Sequence, residues 1–518
     1  MDFINRMANE LLENYNVSVT ENGAVGYRTT GKALLDINFA VASLRSASEN
    51  EIVEKFKRAF FEDKLLAVKW LFYARDVRGG LGERRLFRVV MKYIADYEPD
   101  LAAAVVPLIA EYGRFDDMWC LLDNEKLRPV VITTLAALLN YDLECRKEGK
   151  PISLLAKWLP SANASSADTK RYAKIIQQSL CISERNYRMI LSDLRKYLDV
   201  TERKMSAKQW REIDYEKVPS RANLIYNGAF LRNDEERRRA YLTALEKGEA
   251  KINASALYPH DITHKYIKSY YTWGTNCKLN DYDPGLEAMW KALPNTVSKN
   301  GNTIVVADSS GSMHSTVGKT NIAALDVANA LAIYFAERSS GQFKDKYITF
   351  STRPQLVDLG KAQSLRDKIA IALNYSECSD TNIEAVFDLI LSTAKNSGMR
   401  QEDMPANVLV ISDMEFNSAV CAYDNLRLNA NLFKIIEQKY ASAGYKLPRL
   451  VFWNVNSRTG TIPVRENDMG VALVSGFSVN ICKMVMSGKT DPYECLIETL
   501  NSERYKPVEY AVKDCLKS

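Results

Sequence analysis

Histidine is scarce in this chain: 518 residues hold three, His260, His264 and His314. A zinc enzyme therefore has few imidazole ligands to draw on. The nine cysteines (Cys120, Cys145, Cys181, Cys277, Cys378, Cys421, Cys482, Cys495 and Cys515) are scattered, odd in number and without a C-x-x-C pair. Reduced, mostly buried thiols fit this better than a disulfide framework or structural zinc. Long apolar runs are also missing, since Leu101–Ala110 is too short to span a bilayer and contains Pro107. The opening MDFINRMANELLENY has no basic stretch leading into an apolar one, so no secretory signal is read. A soluble cytoplasmic protein without a membrane role is expected.

Catalytic signatures are missing as well. There is no G-x-S-x-G elbow, and His314 close to Ser312 does not by itself make a triad. A phosphatase of the Asp-x-Asp type needs a carboxylate where Ser310 stands. Gly79-Gly80-Leu81-Gly82 follows a helical pattern instead of a strand, so it is neither a Walker loop nor a dinucleotide fingerprint. The protein is expected not to be an enzyme.

What is present is ample core material. Apolar residues make up 47% and charged residues 26%, the balance of a folded chain, and the length calls for two or more domains. The net charge of +5 hides a local excess: Lys170–Lys251 carries 19 basic and 12 acidic residues. Solvated helix faces and a polyanion-binding surface both account for such an excess. Through residue 295 apolar residues recur at three and four positions, as in Ile52, Phe56, Phe60, Leu65, Val68 and Leu71. Many short helices without an exact repeat predict an irregular α-helical solenoid. The turn-rich stretch Pro294–Asn302 ends that texture. Beyond it, apolar strand-like runs alternate with amphipathic helices, which predicts a mostly parallel sheet covered by helices on both faces. The expected domains are residues 1–295 and 296–518.

The strand-like run Thr303–Asp308 ends in Asp308-Ser-Ser310-Gly-Ser312. A second loop offers Asp380-Thr381 and a third Asp413, at the end of Val408-Leu-Val-Ile-Ser-Asp413. Ligands of parallel sheets bind at the C-terminal ends of the strands, where oxygens of this kind suit a hard cation. In order, residue type and context the set resembles the metal-ion-dependent adhesion site of the von Willebrand factor A family, an α/β Rossmann-like fold. The resemblance implies that Ser310 and Ser312 are direct ligands of Mg²⁺ (or Mn²⁺ or Ca²⁺), and that Asp308 and Asp413 fix waters and balance charge. Thr381 is a conditional ligand, because Ser-Asp-Thr-Asn lacks the glycines often found in that loop. Hydroxyl ligands leave a coordination position open for an acidic oxygen of a partner, although a metal that only ties the loops together is also compatible.

The helical half carries Tyr73-Ala-Arg75-Asp76-Val-Arg78-Gly79-Gly80-Leu-Gly82-Glu83-Arg84, Tyr112-Gly113-Arg114-Phe-Asp116-Asp117, Lys157-Trp158-Leu-Pro160 and Val218-Pro219-Ser220. With the domain that follows, these resemble the Ro autoantigen family of TROVE-type RNA-binding proteins, and more closely a bacterial, plant and fungal branch related to them. The resemblance implies HEAT-like helical repeats closed into a ring that binds structured or misfolded small non-coding RNA. From the residues themselves, Arg185, Arg188, Arg203, Lys204, Lys208, Arg211 and Arg221 are the candidate RNA contacts, with Tyr187 and Trp210 near them for stacking. Arg75, Arg78, Arg84 and Arg114 have acids beside them and fit a structural role that ties adjacent helices, with RNA contact as the alternative. The alternative function is a protein-interaction scaffold that grips a partner carboxylate through the metal and binds no RNA.

Overall fold

The computed structural model describes residues 15–22, 25–269, 278–297, 302–351, 353–376, 382–416, 430–462, 471–481 and 491–516. Its contacts divide the chain into two units, Met1–Glu62 with Leu257–Thr499 and Asp63–Ala256 with Leu500–Ser518. This division differs from the single cut drawn at residue 295. Three segments account for the difference. Helix Ala33–Ala40 buries Phe39 in the cluster that covers the large sheet, helix Pro259–Tyr266 packs on helix Ala324–Arg338, and helix Lys506–Val512 packs on helices Lys64–Arg75 and Pro99–Val105.

In the first unit, β1 (Val17–Val19) and β2 (Val25–Tyr27) form an antiparallel hairpin within a stretch expected to be helical. Tyr27 exchanges two backbone hydrogen bonds of 2.8 Å with Ile462. β3 (Ile267–Ser269) and β4 (Lys278–Leu279) make a second short pair. The large sheet contains β5 (Thr303–Asp308), β6 (Lys346–Phe350), β7 (Leu356–Asp358), β8 (Asn407–Ser412), β9 (Arg449–Asn454) and β10 (Ala472–Ser475), in the order β10-β9-β8-β5-β6-β7. Every pairing is parallel except β6 with β7, an antiparallel edge that alternation alone did not reveal. β5 is buried at all six positions, as a central strand covered on both faces must be. Ile304, Val306, Val408, Val410, Leu450 and Phe452 pack against Val386, Phe387 and Ile390 of helix Ile383–Ser397. Strand order reverses at β5, with β6 on one side and β8 on the other, so the carboxyl ends of β5 and β8 flank the crevice where such sheets take ligands.

The second unit is helical. Helix Arg84–Tyr97 packs on Lys64–Arg75 and on Pro99–Val105, and Glu235–Lys247 packs on Ser220–Asn233. Asp63, Ser166 and Ser183 start helices by accepting hydrogen bonds from backbone N–H groups of the first turn. No helix among the described residues is long and apolar enough to cross a membrane.

Candidate functional site

The expected metal residues that are described come together at the ends of β5 and β8. Asp308 Oδ1 accepts the Ser310 N–H at 2.8 Å, and Oδ2 accepts the Ser412 hydroxyl at 2.5 Å. Both oxygens of this buried carboxylate are thus committed to the protein, and Asp308 fixes the two strand ends to each other. The Ser310 and Ser312 hydroxyl oxygens lie 3.0 Å apart. Adjacent ligands of an octahedral Mg²⁺ at 2.0–2.1 Å are separated by about 3 Å, so this spacing suits one ion.

Asp413 is fully buried, and its Oδ1 accepts the Glu415 N–H at 3.2 Å. Its Oδ2 has no hydrogen-bond partner. Burial, and then the neighbouring Asp308 charge, push the Asp413 carboxyl up to about 7. Burial raises Asp308 as well. Just past the end of β8, Met414 has φ +64, an uncommon conformation for a side-chain-bearing residue, held by a 3.0 Å hydrogen bond from its N–H to Ser412 Oγ. Hard oxygens, two crowded buried carboxylates and one unpartnered carboxylate oxygen fit a divalent cation. Thr381 lies outside the described residues.

Three residues here were not singled out from the sequence. Ser412 latches Asp308. Glu415, also buried, accepts the N–H groups of Arg458 and Thr459 on Oε1 at 2.8 and 2.9 Å, and that of Glu21 on Oε2 at 2.9 Å. Arg458 sets its Nη2 2.6 Å from Glu21 Oε2 and 3.8 Å from Asp413 Oδ2, which brings positive charge to the site. A usable signal was the second acid two residues after Asp413, too polar a strand end to be filler.

The candidate RNA residues fall into two groups. Arg185, Arg188, Lys208, Arg211 and Arg221 are exposed and Arg203 is half-buried. Lys204 is different: its Nζ is held 2.8 Å from Asp199 Oδ2 and 2.6 Å from the Glu212 carbonyl, with 12% of the side chain exposed. Tyr187 is no stacking platform, because it is fully buried with its hydroxyl on the Pro160 carbonyl at 2.9 Å. Trp210 packs its ring against Phe230. Part of the positive excess is internal too. Arg195 donates to the Ala156 and Leu159 carbonyls, and buried Arg238 to Asn223 and Asn227 beside three aromatic rings.

The two arginine-rich motifs close on each other. Arg75 donates from Nε to Asp117 Oδ2 at 2.8 Å, both side chains being buried. Arg84, Arg88 and Arg114 gather on Asp116 and Asp117. The glycines follow from this crowding: a Cβ on Gly80 would stand 1.9 Å from the Tyr73 carbonyl oxygen, and one on Gly113 would stand 2.6 Å from Asp117 Oδ2. The structural role expected for these arginines accounts for Arg75.

His264 Nδ1 lies 3.0 Å from Asp326 Oδ2, and buried His260 packs on Tyr258 and Phe477. Among the described residues no group of three or more His, Cys, Asp or Glu side chains is placed to hold a metal.

Residues 302–513 match the model of the Domain of unknown function DUF7788, and residues 20–116 and 164–303 match that of the Domain of unknown function DUF2828. The chain is similar in structure to the Deinococcus radiodurans RO (RSR) protein, with 13% identity and a TM-score of 0.38 over 87% of this chain and 92% of that one. Uncharacterized protein L728 of Acanthamoeba polyphaga mimivirus is 30% identical over 532 residues, spanning 95% of this chain and 89% of that protein. The chain therefore belongs to the family of the mimivirus protein L728.

Proposed function

We propose that this protein is a non-enzymatic RNA-binding protein of the Ro type whose sheet-containing unit binds a divalent cation in the manner of a von Willebrand factor A domain. The observation that carries the cation reading is the orphaned Asp413 Oδ2, buried beside Asp308 and the paired Ser310 and Ser312 hydroxyls. In this reading Ser310 and Ser312 ligate the ion, Asp413 holds its waters, and Asp308 positions the serine loop. Thr381 is the conditional further ligand. A cation held by neutral hydroxyls keeps unsatisfied positive charge and takes an acidic oxygen from a ligand.

The RNA reading is supported by the Ro-like motifs and by exposed cations. Arg185, Arg203, Lys208 and Arg211 make no ion pair with a described residue, so their charge is available to phosphates. Calorimetric titration with Mn²⁺ and Mg²⁺ tests the cation site. Wild-type protein should bind one ion, and Ser310→Ala/Ser312→Ala should lose it while keeping its circular dichroism spectrum. Unchanged affinity in the double variant would remove the assignment.

A further inference from the structure

Four guanidinium groups meet two carboxylates where the arginine-rich motifs close. Arg75, Arg84, Arg88 and Arg114 surround Asp116 and Asp117, four positive charges around two negative ones. Asp117 accepts on both oxygens and Asp116 on Oδ2 alone, its buried Oδ1 having no hydrogen-bond partner. Asp117 takes Arg75 Nε at 2.8 Å, Arg88 Nε at 2.7 Å and the Arg114 N–H at 3.0 Å. Asp116 takes Arg84 Nη2, Arg88 Nη2 at 3.2 Å and Arg114 Nη2 at 3.2 Å. Of the other acids of these motifs, Asp76 is engaged by Arg504 and Glu83 is buried.

The side-chain bonds come from Nε of Arg75, Nε and Nη2 of Arg88, and Nη2 of Arg84 and Arg114. No hydrogen bond to a described residue uses the Nη1 of Arg84, Arg88 or Arg114, and these side chains are 42%, 29% and 30% exposed. Each is tethered through Nη2 and partly exposed. Arg114 is braced further by the Trp158 ring, 4.2 Å from its guanidinium carbon. Three guanidinium forks, positioned in advance by shared carboxylates and carrying excess charge, are what an oxyanion with several acceptor oxygens selects.

We propose that Arg84, Arg88 and Arg114 form a binding site for a phosphate group, seated on their Nη1 edges. This site is separate from Arg185 to Arg221. The clause that RNA supplies the phosphate rests on the Ro-type reading, and free inorganic phosphate is the other source of the same chemistry.

The test uses the full chain and inorganic phosphate, compared with chloride at equal ionic strength and pH. Wild-type protein should show saturable binding by calorimetry and a thermal midpoint raised beyond that in chloride. Arg84→Gln should weaken phosphate binding about tenfold, the scale for one lost charge-assisted contact. Arg185→Gln should leave it unchanged. Arg84 is the most exposed of the three, so this variant keeps its fold, and Arg114→Gln serves as a second. An RNA oligonucleotide bearing a 5′-phosphate should compete with inorganic phosphate. Phosphate binding that RNA never displaces overturns the RNA clause and keeps the anion site. Wild-type protein without phosphate-specific binding overturns the site itself, and RNA binding through Arg185, Lys208 and Arg211 would still stand or fall by its own salt dependence.

Discussion

Arg504 and Asp76 form a two-pronged ion pair across 428 positions of sequence, with Nε and Nη2 donating to Oδ2 and Oδ1 at 2.6 and 2.9 Å. Asp76 is wholly buried and also accepts the Arg78 N–H at 2.9 Å and the Tyr505 hydroxyl at 3.2 Å. The Tyr505 ring stacks on Tyr112, whose hydroxyl donates to the Arg504 carbonyl at 2.6 Å. The last helix is thereby pinned to the helical unit by the first arginine-rich motif. Its hydrogen bonds to Asp76 raise the Arg504 pKa, so its guanidinium stays charged at any ordinary pH.

Arg504→Ala should destabilise the helical unit by about 3 kcal/mol, because it strands a buried carboxylate. Urea unfolding followed by circular dichroism measures this. A loss below about 0.5 kcal/mol would show that the pair behaves as an ordinary surface bridge.

Gly80→Ala should cost about 3 kcal/mol by forcing the turn away from the Tyr73 carbonyl. Gly149, at φ +72 with open space around it, is the comparison: Gly149→Ala should cost only about 1 kcal/mol of backbone strain. Thermal denaturation of the two variants side by side checks the ranking.

Asp413 sets a pH dependence whose sign follows from its raised pKa of about 7. An unfolded aspartate loses its proton near pH 4, so across roughly pH 4 to 7 the folded state binds more protons than the unfolded one. The contribution of this group to stability therefore falls as pH rises through that window. Asp413→Asn should remove this component, seen as a difference in midpoint between wild type and variant that changes from pH 5 to pH 8. A divalent cation favours the ionised carboxylates, so Mn²⁺ should bind more tightly at pH 8 than at pH 5.5. Equal affinity at the two values would separate Asp413 from the ion.

RNA binding, tracked by fluorescence anisotropy over a salt series, should weaken steeply as salt rises. Neutralising Arg185, Lys208 and Arg211 together should flatten the log–log slope by about two units, at roughly 0.7 per lost single-strand phosphate contact. Lys204→Gln should instead lower stability, since its ammonium ties Asp199 to the Glu212 carbonyl. Absence of RNA binding by wild-type protein even at low salt would sink the Ro-type reading.

Local pattern determined much of this protein by itself. Buried strands announce themselves as unbroken apolar runs, so β5, β8 and β9 and the loops that follow them were legible from residue 303 onward. Asp308, Ser310, Ser312 and Asp413 were legible for the same reason, since a strand end places its next residues predictably. Short elements were not. β1, β2 and β7 have three residues each, too few for a period, and their pairing supplies what their sequence does not.

Only tertiary structure decided which charges are free. Lys204, Arg195 and Arg238 read like their exposed neighbours, yet their donors are spent on carbonyls and amides inside the helical unit. A charge's partner depends on distance in space, and Asp76 shows how far that departs from sequence: its neighbour Arg75 pairs with Asp117, while its own partner is Arg504. Nor does sequence tell a side chain on a helix whether it faces solvent or a second helix, which is why Tyr187 read as a stacking surface and is core. Those assignments depend on burial, and burial is settled only when the helices pack.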